Sequence, residues 1–330
     1  MADVEILAEP GTALLADPAW DAFVDVAGTP FHSVRFLLPW WQDTQAKNPE
    51  SQFLAVRLSD GPQIVGGCAF ELADGVLSFA GGQDVTDYMG PVAADGREQE
   101  VAEALAAWVF EGAEWNAARL GGLRPAEPTA RELLDALQRH SPNARVETYD
   151  QAPGIDLADG GYLALLNSKR RADVLRKRRR LVEEVGEVHL EASTAQTLPE
   201  LLDRLLTWKA AAGPATADFV AEYGPLVHAL LAGFAQDGSG QVVELCAGDR
   251  PLASAIVLRH RGTAYLYNMA YDLTLTADGV GLAPGVVLVS HLAEQALDDG
   301  CRFDFLKGAQ DYKLRLGGIP KDLAAVVVKR

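Results

Sequence analysis

The sequence predicts an α/β protein of the α+β kind. Two tandem domains are expected, each a mixed, mostly antiparallel sheet flanked by helices. Three observations carry this expectation. Short apolar runs bounded by turn residues alternate with stretches of helical period. The series of elements over residues 53–124 recurs in the same order over 242–306. The 330 residues also suffice for two domains of the usual ~150 residues each. We place an N-terminal domain over 1–152 and a C-terminal domain over 153–330.

The elements follow in order. A strand at 4–7 and a helix near 18–26 come first. Thr29-Pro30-Phe31-His32-Ser33 then leads into 36–42, where Trp40 and Trp41 anchor packing, and His32 reads as a satisfied loop histidine. Strands at 53–58, 64–72 and 76–80 are separated by Ser59-Asp60-Gly61-Pro62 and Ala73-Asp74-Gly75, residue types that hold tight hairpin turns. A loop with Asp87-Tyr88, a helix at 98–118 and a strand at 119–123 complete the first copy. A helix at 127–140 and a strand at 145–149 follow, then one long helix at 163–185 and two more at 199–211 and 219–235. The second copy has strands at 242–245, 253–258 and 263–270, with turns at Gly248-Asp249-Arg250-Pro251 and Arg261-Gly262. Tyr271-Asp272 opens its loop. Pro284 starts its helix, Gly300 ends it, and a strand at 301–306 follows.

Composition narrows the function. The chain is 48% hydrophobic and 23% charged, with a net charge of −17, which suits a soluble globular protein and excludes a general nucleic-acid binder. DNA is therefore not an expected partner. Cys68, Cys246 and Cys301 are odd in number and lie in apolar stretches, so they read as reduced core thiols, with neither a disulfide frame nor a metal expected. The N-terminal residues lack a basic leader and no apolar run approaches ~18 residues, so we expect no membrane span and a cytoplasmic location.

The second copy carries an anion site by construction. A strand, a loop with Gly279 and Gly281, and a helix opened by Ala283-Pro284-Gly285 aim unpaired first-turn N–H groups and the positive end of a macrodipole at the loop. Gly285 is expected to let a phosphate approach the backbone. The first copy enters its helix through Asp95-Gly96-Arg97-Glu98, whose carboxylates repel phosphate. The helix at 163–185 contains Lys169, Arg170, Arg171, Arg176, Lys177, Arg178, Arg179 and Arg180 against Asp173. This is the one dense positive patch in an acidic chain. It reads either as a solvated face or as a contact for a polyanion such as a nucleotide pyrophosphate, through Arg176 and Arg179.

At these residues the chain resembles a known family. Thr29-Pro30-Phe31-His32-Ser33, Asp84-Val85-Thr86-Asp87-Tyr88, the basic helix, Tyr271-Asp272 with Ala283-Pro284-Gly285, and Phe303-Asp304-Phe305-Leu306 with Gly308 and Tyr312-Lys313 look like the CelD/BcsL-type GNAT acetyltransferases. Those are tandem GNAT proteins related to the Fem-type aminoacyl transferases. The resemblance implies transfer of an acyl group from acetyl-CoA or another acyl-CoA to an amine on a small molecule or saccharide, by direct attack. It places the donor pyrophosphate over Gly279, Gly281, Ala283, Pro284 and Gly285. It implies catalytic work among Asp304, Tyr312, Lys313, Tyr271 and Asp272. Lys313 would neutralise developing charge, Tyr312 or Tyr271 would protonate the thiolate, and Asp304 or Asp272 would accept the amine proton. Two alternatives remain: a Fem-like aminoacyl transferase using charged tRNA, and a non-catalytic tandem-GNAT scaffold in a polysaccharide or cell-envelope pathway.

Overall fold

The computed structural model describes residues 5–112, 114–157, 160–276 and 282–329. Two compact units emerge, one of 1–151 with 321–330 and one of 152–320. Each is α/β, with a mixed, mostly antiparallel sheet flanked by helices.

The first unit opens with β1 (Glu5–Pro10), α1 (Gly11–Ala16), α2 (Pro18–Ala27) and α3 (Val34–Lys47). Asp17 caps α2 by accepting from the Ala19 N–H at 2.9 Å. His32 Nδ1 accepts from the Thr29 N–H at 3.1 Å, a loop-stapling role of the kind expected. The Trp40 and Trp41 rings both pack on Phe53. Then come β2 (Gln52–Asp60), β3 (Gln63–Ala73), β4 (Val76–Phe79), β5 (Val92–Ala93), α4 (Glu98–Ala107), β6 (Ala117–Leu123), α5 (Pro128–His140) and β7 (Arg145–Ile155). The helix expected over 98–118 is shorter because a wide helical turn at Trp108–Gly112 ends it.

The second unit contains α6 (Tyr162–Leu165), α7 (Ser168–Val185), β8 (Val188–Ala192), α8 (Leu198–Ala211) and α9 (Pro214–Ala235). The single helix expected over 163–185 is two, because Asn167 turns the chain and its side chain accepts from the Arg170 N–H at 2.9 Å. Then follow β9 (Gly240–Ala247), β10 (Arg250–His260), β11 (Thr263–Tyr271), α10 (Pro284–Asp298), β12 (Arg302–Asp304) and α11 (Asp311–Arg315), before β13 (Ile319–Lys329) returns to the first unit.

The two copies share one pairing scheme. In the first, β1-β2-β3-β4 are antiparallel neighbours and β6 joins β4 in parallel. In the second, β8-β9-β10-β11 repeat this and β12 joins β11 in parallel. A sixth strand then lies antiparallel to the fifth in each. In the second unit it is the end of β7, with Phe303 opposite Ile155. In the first unit it is β13, with Ala324 opposite Leu123 and Val328 opposite Ala118. The boundary read from sequence kept 153–330 together, whereas residues 321–330 pack in the first unit. The hydrophobic run of β13 announces a strand but not its partner.

Each unit has its own core. Leu105, Leu120 and Val326 are central in the first, and Leu252, Leu288 and Phe303 in the second. Among the described residues, no helix is long and apolar enough to cross a membrane.

Candidate functional site

The second unit's sheet opens where β11 and β12 part. The two strands pair at three positions, Thr263 with Arg302, Ala264 with Phe303 and Tyr265 with Asp304. There β12 ends, while β11 continues to Tyr271. Residues 266–271 therefore border an opening on that edge.

Above it begins α10. Ala283, its N-cap, gives no side-chain cap, Pro284 occupies the first turn, and the first turn holds no acid. The Gly285 and Val286 N–H groups thus lack a capping side chain and sit at the positive end of a 15-residue helix. In the first unit, α4 has Glu98 and Glu100 in its first turn instead. Gly279 and Gly281 lie outside the described residues.

Gly285 lies close against β11. A Cβ there would lie 2.4 Å from Met269 Cε and 3.0 Å from Tyr271 Cδ1. The space beside its Cα is filled by two β11 side chains, so the glycine lets α10 press against the sheet. It does not leave room for a ligand on that side.

The five catalytic candidates fall into two groups. Asp304 and Lys313 meet on one residue, Leu306. Asp304 Oδ1 accepts the Leu306 N–H at 2.8 Å, and Lys313 Nζ donates to the Leu306 carbonyl at 3.2 Å and to that of Lys307 at 2.7 Å. Leu306 needs this grip, because its φ of +59° is left-handed backbone that disfavours a branched side chain. Lys313 is only 5% exposed, so its ammonium is a buried brace for the loop after β12. Next to it, burial pushes the Tyr312 phenol up to about 12.

Tyr271 and Asp272 stand at the far end of β11, six residues past Tyr265, roughly 20 Å along an extended strand. Asp272 caps a turn. It accepts from Thr274 N at 2.9 Å, from Thr274 Oγ1 at 2.6 Å and from Arg250 at 3.1 Å. Burial works to raise its carboxyl, but these donors prevail and hold it below the usual range. A carboxylate so well satisfied is a weak proton acceptor.

The basic helix divides by face. Lys169, Arg170 and Arg176 line an open groove of about 620 Å³ with Arg315 and Asp173. Arg179 is outside that groove, exposed and 3.5 Å from Glu183. Arg176 lines the groove and pairs with Asp173, whereas Arg179 is exposed to solvent. Arg178 turns inward between buried Val174 and Leu181, donating to Ser290 Oγ at 2.9 Å and Glu294 at 2.7 Å on α10. The spacing 174, 178, 181 is one helix face and was the available signal for an inward arginine. On α10, burial first and Arg178 second lower His291 to about 4, so this imidazole is neutral.

One residue escaped the sequence reading. Lys209 of α8 donates to Asn268 Oδ1 at 2.9 Å, and Asn268 lies in the open length of β11. Its ammonium lies 4.9 Å from the Phe219 ring centroid, and burial lowers its pKa. A lysine in the last turn of a helix gives no sequence sign of this.

The comparisons with known proteins agree with the fold. Residues 168–314 match the family model described as an acetyltransferase (GNAT) domain. A crystal structure of FemX is similar over 98% of this chain and 96% of its own, at a TM-score of 0.61 and 11% identity. The structure of L-PGS from Bacillus licheniformis is similar over 94% and 91%, at 0.57 and 14%. A conserved protein of unknown function from Bacteroides thetaiotaomicron VPI-5482 is similar over the full length of both chains, at 0.57 and 12%. No curated protein matches the chain by sequence.

Proposed function

We propose that this chain is an N-acyltransferase of the CelD/BcsL-type group that moves an acyl group from acyl-CoA to an amine by direct attack. The observation that carries the reading is the parting of β11 from β12 beneath an uncapped, acid-free α10 terminus. The open edge of β11 offers backbone groups to an extended pantetheine-like chain, and the α10 N–H groups offer an anion site. The second unit is then the donor domain and the first a degenerate partner.

The chain's own residues divide the work as follows. Lys209 takes the amine proton, since burial favours its neutral form and Asn268 aims it at the opening. Burial pushes the Tyr312 phenol up to about 12, which makes it a poor proton donor, so protonation of the leaving thiolate falls to Tyr271 on the open length of β11. Asp304 and Lys313 position the loop after β12. Trace acylation across a pH series checks Lys209. Its labelling should rise at lower pH than that of exposed lysines, and coincident profiles would remove the base role.

The donor site has a test that does not need the acceptor. Acetyl-CoA and longer acyl-CoAs should raise the melting temperature, following mass action. Ala283→Asp should then raise the melting temperature of the free protein, because a side-chain cap adds about 0.5–2 kcal/mol. The same carboxylate repels phosphate, so the ligand-induced shift should vanish. Opposite signs separate site from stability, and a retained shift would place the donor elsewhere.

A second reading, aminoacyl transfer from charged tRNA, is favoured by the groove of Lys169, Arg170, Arg176 and Arg315, which suits a phosphodiester chain. Stabilisation by charged tRNA with none by acyl-CoA would select it.

A further inference from the structure

The sheet of the second unit carries, at its β8 edge, a side-chain cluster that plays no part in the chemistry above. His189 stands opposite Cys246 and Glu191 opposite Glu244 across the β8–β9 ladder, so all four side chains share one face. A His189 ring nitrogen, a Glu191 carboxylate oxygen and Cys246 Sγ lie within 4.8 Å of one another. His189 and Glu191 are exposed and Cys246 is buried.

An independent observation is a buried carboxylate on the same face. Glu244 is 3% exposed. One of its oxygens takes the Arg204 guanidinium at 2.6 Å, while Oε1 is buried with no hydrogen-bond partner among the described residues. Arg204 is shared with Glu200 at 2.8 Å, so one cation serves two carboxylates while Glu191 adds a third beside them. A buried carboxylate oxygen without a donor calls for a positive neighbour.

We propose that His189, Glu191 and Cys246 bind a zinc ion, with the free oxygen of Glu244 on the same face as the fourth ligand. The donor set of one sulfur, one nitrogen and carboxylate oxygen is that of a borderline cation, not of magnesium or calcium. Binding displaces the thiol proton to solvent and the exposed His189 and Glu191 side chains rotate inward to close the coordination distance. The ion ties the edge strand β8 to β9, a strand otherwise held on one side only. This sets Cys246 apart from the inert core thiol that its sequence context suggests.

The test uses the full chain stripped with a chelator and titrated with zinc or magnesium chloride. Zinc should bind at one equivalent and raise the melting temperature, and magnesium should do neither. Cobalt in its place should show a thiolate charge-transfer band in the near ultraviolet. His189→Ala and Glu191→Gln alter exposed side chains and should leave the metal-free fold intact. Each should weaken zinc by more than about 10-fold, the loss expected even for an outer partner of a ligand. Cys246→Ser should abolish the cobalt band, whereas Cys301→Ser should keep it. No stoichiometric zinc binding, or binding unchanged in His189→Ala, would overturn the site.

Discussion

Lys313→Ala should lower the melting temperature by roughly 6–12 °C, on the basis of about 3 kcal/mol lost from a unit of this size. The ammonium braces two carbonyls, those of Leu306 and Lys307, from a position only 5% exposed. Hydrogen bonds to a charged group contribute about 1.5–3 kcal/mol each, and here both acceptors would be left without this donor. Leu306 would then hold its left-handed backbone without the Lys313 brace, keeping the Asp304 bond to its N–H. Turnover should fall with stability, because the loop after β12 borders the opening. The charge-neutralising role that the resemblance implies for Lys313 would instead slow the chemistry and leave the melting temperature unchanged. Differential scanning fluorimetry decides between them. A midpoint within a degree of wild type would mean that the ammonium braces nothing and is available for catalysis.

Gly285→Val should cost stability and donor binding together. Its Cβ would meet Met269 Cε at 2.4 Å and the Tyr271 ring at 3.0 Å. Met269 ends in a flexible methyl and can swing away, but the Tyr271 ring is the wall of the opening and must shift. Overpacking of this kind costs about 1–3 kcal/mol. Gly285→Ala sets the same Cβ against Met269 and Tyr271 but adds no further methyl groups, and should be milder. Melting midpoints of the two variants, with and without acyl-CoA, check this. A Val variant as stable as wild type would show that the packing against β11 is loose and would restore the glycine to a ligand-facing role.

The local chemistry of the hairpins was legible in the sequence. Asp74-Gly75 and Arg261-Gly262 both adopt the positive φ pairs that two-residue hairpins need, and each links the expected strands. The recurrence of the pattern gave the second copy's elements from the first. What stayed hidden was long-range. Nothing in residues 323–329 says that they pair with 117–123. Nor does the charge run of α7 say which arginine turns inward until the neighbouring Val174 and Leu181 are known to be buried. The catalytic candidates were named by position along two strands, and the structure splits them because β12 stops after three residues while β11 continues.

The return of β13 to the first unit also sets an order in time. Leu123 and Ala324 are ladder neighbours yet stand 201 positions apart (324 − 123) in the chain. At the usual ~5–20 residues per second of synthesis, that gap is on the order of 10–40 seconds. For that interval the open side of β6 has no β13 beside it, a bare strand edge in a chain still being made. The second unit, continuous over 152–320, has all its residues sooner. The half that is made first is therefore the half that closes last, the reverse of the common N-to-C order, and a nascent-chain chaperone would meet it waiting.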